Sequence, residues 1–214
     1  MKACQNKPKR RSMRICIDPG HSGPVEPGAC AGGVTEADVN LQVSKILARM
    51  LEKAGYQVKL TREDDVEDQE LSWRVEEAWK FRTDIYVCIH CNAFASPAAH
   101  GTETYYYPGS DNGRALARCI QSELVKNCRT ADRGVKSNDE WTVLTDTYCP
   151  AVLVEMAFLT NDRDRELLTD PFNQRLLAVG ILNGIMAFER GGPLFGKMVK
   201  GAETAEIPGS ARKR

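Results

Sequence analysis

The chain has 214 residues, 42% hydrophobic and 27% charged, enough for one sizeable core in a globular domain. Lys plus Arg and Asp plus Glu balance at 29 each, so no excess charge argues for nucleic acid or an anionic membrane. A transmembrane helix is excluded, because no run of roughly 18 or more apolar residues occurs. The basic start "MKACQNKPKRRSMR" is not followed by the apolar stretch of a signal peptide, so no export signal is expected.

In chain order, a basic tail is expected over 1–12, then a short buried strand in "MRICIDPG" ending at Asp18-Pro19-Gly20. Residues 21–34 are rich in Gly and Pro and read as a loop. Thr35, with Asp38 three residues on, is a helix N-cap. Val39, Val43, Ile46, Leu47, Met50 and Leu51 follow at helical spacing until Gly55 stops the helix. Residues 56–62 read as a strand, and 70–81 as a helix with Leu71, Val75, Ala78 and Phe81 inward. Strands are predicted over 84–93 and 101–108, a helix over 112–127, and strands over 141–146 and 150–160. A helix over 171–190, with Pro171 in its first turn, closes a domain spanning 13–190. The remainder, 191–214, lacks periodicity and is expected to be a disordered tail.

Alternating strands and helices indicate an α/β fold in a single domain with a mostly parallel sheet. The eight cysteines show no paired metal-ribbon spacing, so free thiols are expected rather than a disulfide framework. Cys16 and Cys88 fall in apolar strands, where cysteine behaves as a small hydrophobe.

In parallel sheets, functional groups gather at the carboxyl ends of the strands. The chain has three histidines. His21 follows the first predicted strand, His90 closes the strand over 84–93, and His100 lies in a polar segment and reads as a surface residue. Two imidazoles at one edge, joined by a carboxylate, form the ligand set of many hydrolytic zinc sites. Glu36 is the candidate third ligand; its alternative role is to complement the helix dipole from the first turn. Glu155, expected at the end of the last strand, interrupts the apolar run "AVLVEMAF", where an unpaired carboxylate is costly or shifts its pKa. Accepting a proton from a metal-activated water is one reason for placing it there. In "CIHCNAF" side chains alternate, so Cys88 and His90 share a face and Cys91 does not. That stretch is read as a strand carrying one ligand, with its cysteines as packing. Asn92 orients either a loop or substrate, and Trp141 with Tyr105–Tyr107 either stacks on substrate or fills the core. Arg62, Arg74 and Arg133 either are structural or solvated or bind carboxylates of a substrate.

The segments "IDPGHSG", "EADVNL", "CIHCNA" and "VLVEMAFLTN", in that order, resemble those of the amidase-3 family. Its members are zinc-dependent N-acetylmuramoyl-L-alanine amidases found among cell-wall hydrolases and phage lysins. The resemblance covers about 13–190; Ser22, Ala157 and Trp79 depart from the usual pattern without removing a ligand. It implies a twisted sheet flanked by helices on both faces. It also implies Zn²⁺ held by His21, Glu36 and His90, with Glu155 catalytic. The implied substrate is peptidoglycan, cut between the lactyl group of muramic acid and L-alanine. A zinc peptidase acting within the stem peptide, or a silent wall-binding or regulatory module, is the alternative. The chain is expected to be a monomer needing no activator. It is expected to reach the wall after release or lysis, as a phage lysin or autolysin does, or by secretion if the sequence is a trimmed form.

Overall fold

The computed structural model describes residues 12–66 and 70–191. The tails expected over 1–12 and 191–214 lie outside these residues, apart from Ser12 and Gly191.

Strand β1 (Arg14–Pro19) leads through a small hairpin, β2 (Cys30–Ala31) and β3 (Val34–Thr35), into helix α1 (Glu36–Lys53). Then come β4 (Gln57–Leu60), α2 (Leu71–Lys80), β5 (Ile85–Asn92), β6 (Thr102–Tyr106) and α3 (Asp111–Cys128). The chain continues with β7 (Asp132–Ser137), α4 (Thr142–Thr145), β8 (Ala151–Phe158), α5 (Asp162–Thr169) and α6 (Pro171–Arg190). Six strands form one sheet in the order β4-β1-β5-β8-β6-β7. Every pairing in it is parallel except β6 with β8. The single α/β domain with a mostly parallel sheet is therefore as expected.

Alternation along each strand sorts the side chains onto two faces. Ile15 and Ile17 of β1, Val87 and Ile89 of β5, and Val152, Val154 and Met156 of β8 join the core under α1, α3 and α6. Cys16, Tyr86, Cys88 and Leu153 point the other way, beneath Ala78 of α2 and Val143 and Leu144 of α4. The first face carries three helices of 18, 18 and 20 residues. The second is covered by helices of 10 and 4 residues. On the thick face α3 and α6 nearly touch: a Cβ on Gly184 would lie 2.5 Å from Cα of Ile120.

The cap of α1 forms as read: Thr35 accepts from the Asp38 amide, and Gly55 lies at φ 93° just past the end. Val39, Val43, Leu47 and Leu51 are buried, while Ile46 and Met50 pack at the margin. Four expectations are corrected. Residues 141–146 are not a strand but the helical turn α4. Asn138 Oδ1 accepts from the amides of Glu140 and Trp141, turning the chain so that consecutive Val143 and Leu144 are both buried. Leu71 does not face inward; it is 48% exposed, and buried Arg74 takes the inner position on α2. Glu155 is not at the end of β8, which runs on to Phe158. The loop over 21–34 contains the β2–β3 pair. Strand β7 and helix α5 were not anticipated.

Candidate metal centre

Three elements bring the expected ligands together. His21 is the second residue after β1, Glu36 is the first of α1, and His90 is the sixth of the eight residues of β5. One donor atom from each lies within 4.8 Å of the other two. Glu36 is central: its Oε2 is 3.0 Å from His21 Nε2 and its Oε1 is 2.9 Å from His90 Nδ1. The imidazoles meet edge to face with centroids 4.9 Å apart. Glu36 also accepts from the amides of Ala29 and Cys91, at 3.0 Å each, which fixes its carboxylate from both sides.

His21 has φ 66°, a left-handed conformation that a side chain rarely adopts. Two buried arginines hold that turn. Arg74 Nη1 donates to the Pro19 carbonyl at 3.1 Å and Nη2 to the His21 carbonyl at 2.9 Å. Arg62 donates from Nε to Pro19 and from Nη2 to Gly20 and, at 2.8 Å, Ala37. Arg74 also pairs with buried Asp18 at 3.1 Å. Both arginines are thus structural.

The donor set and its surroundings fit a metal ion. Two imidazoles and one carboxylate are a zinc ligand set that leaves a position open. The glycines around them make space for the rings. A Cβ on Gly20 would lie 2.3 Å from His90 Nε2, and one on Gly28 would lie 2.4 Å from His21 Cδ2. Glu26 Oε1 sits 2.5 Å from His21 Nδ1. A carboxylate there fixes the tautomer, leaving Nε2 for the metal.

Without an ion, charges within the triad compensate one another. Burial disfavours an ionised Glu36, yet hydrogen bonds from His21 and His90 hold its carboxyl far below the usual range. Burial likewise opposes a charged His21, but the hydrogen bonds and charges of Glu36 and Glu26 raise its pKa.

Glu155 pairs in register with His90 on the neighbouring strand. Its Oε2 is buried and has no hydrogen-bond partner among the described residues. Burial is the main cause raising its pKa to about 7; His90 and His21 oppose the rise, and Glu36 and Glu103 add to it. His21, His90, Glu155 and Trp141 line one cavity of about 460 Å³ with Leu71, Cys88 and Leu153 in its walls.

The other residues singled out from the sequence fall as follows. Asn92 donates to Glu103 at 2.8 Å and accepts from the Ala93 amide, so both ends of its amide are engaged. Trp141 walls the cavity and packs on Tyr105, centroids 4.8 Å apart. Tyr106 packs at the margin of the thick-face core, and Tyr107 is exposed. His100 lines a separate cavity with Arg129 and Arg163. Cys88 Sγ donates to Asp18 and Cys91 Sγ to Asn40, and neither thiol belongs to the converging ligand group. All seven cysteines among the described residues are free. Glu26 was missed, although its place five residues after His21 in one loop was a usable signal; so was Glu103, whose partners come from distant segments.

The fold and the converging triad define a single α/β domain built around a candidate metal centre. Residues 15–187 match the Amidase_3 family, described as N-acetylmuramoyl-L-alanine amidase. The chain belongs to this family and is an enzyme of that class. It is 39% identical over 177 residues to YqiI of Bacillus subtilis, an uncharacterized protein, covering 81% of this chain and 84% of YqiI. The N-acetylmuramoyl-L-alanine amidase LytC of B. subtilis is 36% identical, with 82% of this chain covered but only 35% of LytC. The chain therefore spans about a third of that relative. The crystal structure of N-acetylmuramoyl-L-alanine amidase from Clostridium difficile 630 superposes with TM-score 0.79 at 33% identity, covering 84% of this chain and 97% of that one.

Proposed function

We propose that the chain hydrolyses the amide between the lactyl group of N-acetylmuramic acid and L-alanine of the peptidoglycan stem, using zinc held by His21, Glu36 and His90. One observation carries the reading: the three donors converge beside Glu155, a carboxylate with an unpartnered buried oxygen, in one cavity. When bound, zinc supplies Lewis acidity that polarises the scissile carbonyl and acidifies water.

The rest is done by side chains. Glu155 takes a proton from the attacking water and delivers it to the departing nitrogen, which is a poor leaving group until protonated. A carboxyl whose pKa lies near 7 can do both. Glu36 orders the triad, Glu26 sets the His21 tautomer, and Arg62 and Arg74 hold the turn that aims His21. Trp141 offers a flat wall to the substrate, while Asn92 acts through Glu103. The catalytic unit is residues 13–190. The chain acts as a monomer without an activator on this reading, the described residues leaving 20% and 19% of the His21 and His90 side chains exposed. Peptidoglycan is reached after lysis or secretion.

The test is an end-group assay on purified peptidoglycan digested by zinc-loaded protein, beside a chelated control. New L-alanine amino ends that disappear on chelation are expected. New amino ends on another stem residue would make the chain a peptidase, and none from folded, zinc-loaded protein would sink the hydrolytic reading.

A further inference from the structure

Next to Glu155 on the same face lies Glu103 of β6, its register partner. Glu103 is 3% exposed at its side chain, yet it meets two cations, Arg133 Nε and Lys136 Nζ, each 2.6 Å from Oε2. Asn92 and the Tyr105 hydroxyl donate to the other oxygen, both at 2.8 Å. One carboxylate is thus saturated by four donors, and two positive charges surround one negative charge. The excess is one positive charge.

Neither cation is used up by this contact. Arg133 and Lys136 remain 36% and 39% exposed. Arg133 spends Nε on Glu103 and Nη1 on the His100 carbonyl, leaving Nη2 without a partner among the described residues. Its guanidinium lies over the Phe158 ring at 4.7 Å, which fixes its plane. Lys136 sits 5.7 Å from the Tyr105 centroid, Tyr105 packs on Trp141, and Trp141 walls the Glu155 cavity. Lys136 is thus linked to the cavity wall through Tyr105 and Trp141, and both cations are held on Glu103, the register partner of the cavity residue Glu155.

We propose that Arg133 and Lys136 form a carboxylate subsite beside the cavity, one that holds the acidic residue following L-alanine in the stem peptide. The inference rests on the reading that this cavity takes a stem peptide. Glu103 serves as the anchor that pre-orders both cations, which lowers the entropy lost when a carboxylate binds. The pair then favours stems with a free carboxylate over stems in which that group is amidated. A planar fork beside an ammonium suits a carboxylate, and charge-assisted hydrogen bonds are the stronger kind.

The experiment compares two soluble muramoyl-L-alanyl substrates that differ only in a free carboxylate or a carboxamide on the next residue. With zinc-loaded full chain, the ratio of their kcat/KM values should favour the carboxylate by about tenfold, chiefly through KM. Arg133→Met and Lys136→Met, each leaving Glu103 one cation, should bring the ratio close to one. Glu103→Gln, which removes the anchor that orders both cations, should lower it part of the way. A merely structural role would lower stability in these variants and leave the ratio unchanged. Equal rates on both substrates in the unmodified chain, or an unaltered ratio in both Met variants, overturns the subsite while leaving the amidase reading intact. If neither substrate is cut, calorimetric binding of the same pair to zinc-loaded Glu155→Ala protein decides the matter: equal affinities overturn the proposal, and a carboxylate preference that depends on Arg133 and Lys136 upholds it.

Discussion

The two faces of the central sheet are built from the same strands and meet opposite demands. Under α1, α3 and α6 the strands contribute Ile, Val and Met, and the helices approach until Gly184 leaves no room for a methyl group. On the other face the same strands contribute Asp18, His90, Glu155 and Glu103, with two short helices over them. A buried carboxylate has a cost that apolar packing must offset. The lesson is that the thick face holds the molecule together so that the thin face can keep ionisable groups close to one another. Substitutions on the thin face should change chemistry more than stability, and those on the thick face the reverse.

The sharpest way to break that contrast is Glu155→Ala. Zinc content and folding should persist while turnover falls by about a thousandfold, the scale of a lost proton-transfer group. Zinc-loaded variant that still turned over would overturn the role of Glu155. A smaller effect concerns pH in the metal-free protein. Because the folded pKa of Glu155 is raised to about 7, the folded state holds its proton where the unfolded state has released it. Stability should therefore decline as pH rises from the ordinary glutamate range to about 7, by about 3 kcal/mol at most for this group. Glu36 acts in the opposite sense, its stabilisation being present above the ordinary carboxylate range and lost in acid. Thermal melts of Glu155→Gln and of the unmodified chain, both metal-free, should converge at acid pH and separate towards neutrality. Parallel profiles would contradict the assignment.

On the thick face, Gly184→Ala places a Cβ 2.5 Å from the Ile120 backbone. Separation of α3 and α6 should cost about 2 kcal/mol, read as a lower melting temperature. Zinc affinity and turnover of the folded fraction should stay as they were. A loss of zinc affinity would show that the two faces are coupled more tightly than their separate cores suggest.

What could be read from the sequence follows the same division. The cap and stripe of α1 and the start of α6 were legible because Thr35, Gly55 and Pro171 are local signals. The triad was legible because a chain with three histidines placed two of them within two residues of the carboxyl ends of parallel strands. Strand β7 escaped notice because "DRGVKS" lies at the sheet edge and is mostly polar. The turn α4 was misread because Thr and Val favour strands locally, whereas the Asn138 side chain and burial of Val143 with Leu144 decided otherwise. Helix α5 did carry a signal: the Asn161 cap followed by Asp162 and Asp164. Glu103 gave none, since Asn92, Arg133 and Lys136 reach it from separate segments.

Arg74 tests the division most finely, because it stands on the thin face and does a structural task. Besides the Ser22 hydroxyl, its guanidinium spans three groups, Asp18 and the carbonyls of Pro19 and His21, and so holds the left-handed turn at His21. Arg74→Lys keeps the charge facing Asp18 but loses the planar fork, so one ammonium cannot reach all three. The fold should survive, since the buried ion pair is retained. Zinc affinity, measured by competition with a chelator, should fall about tenfold, the lower end of what supporting contacts around a metal contribute. At saturating zinc, turnover should recover most of its value, because Glu155 and the cavity are untouched. Unchanged affinity would mean that Arg62, through Pro19 and Gly20, is sufficient to set the turn. Lost affinity together with lost turnover at saturating zinc would mean that the turn positions the reacting groups as well as the metal.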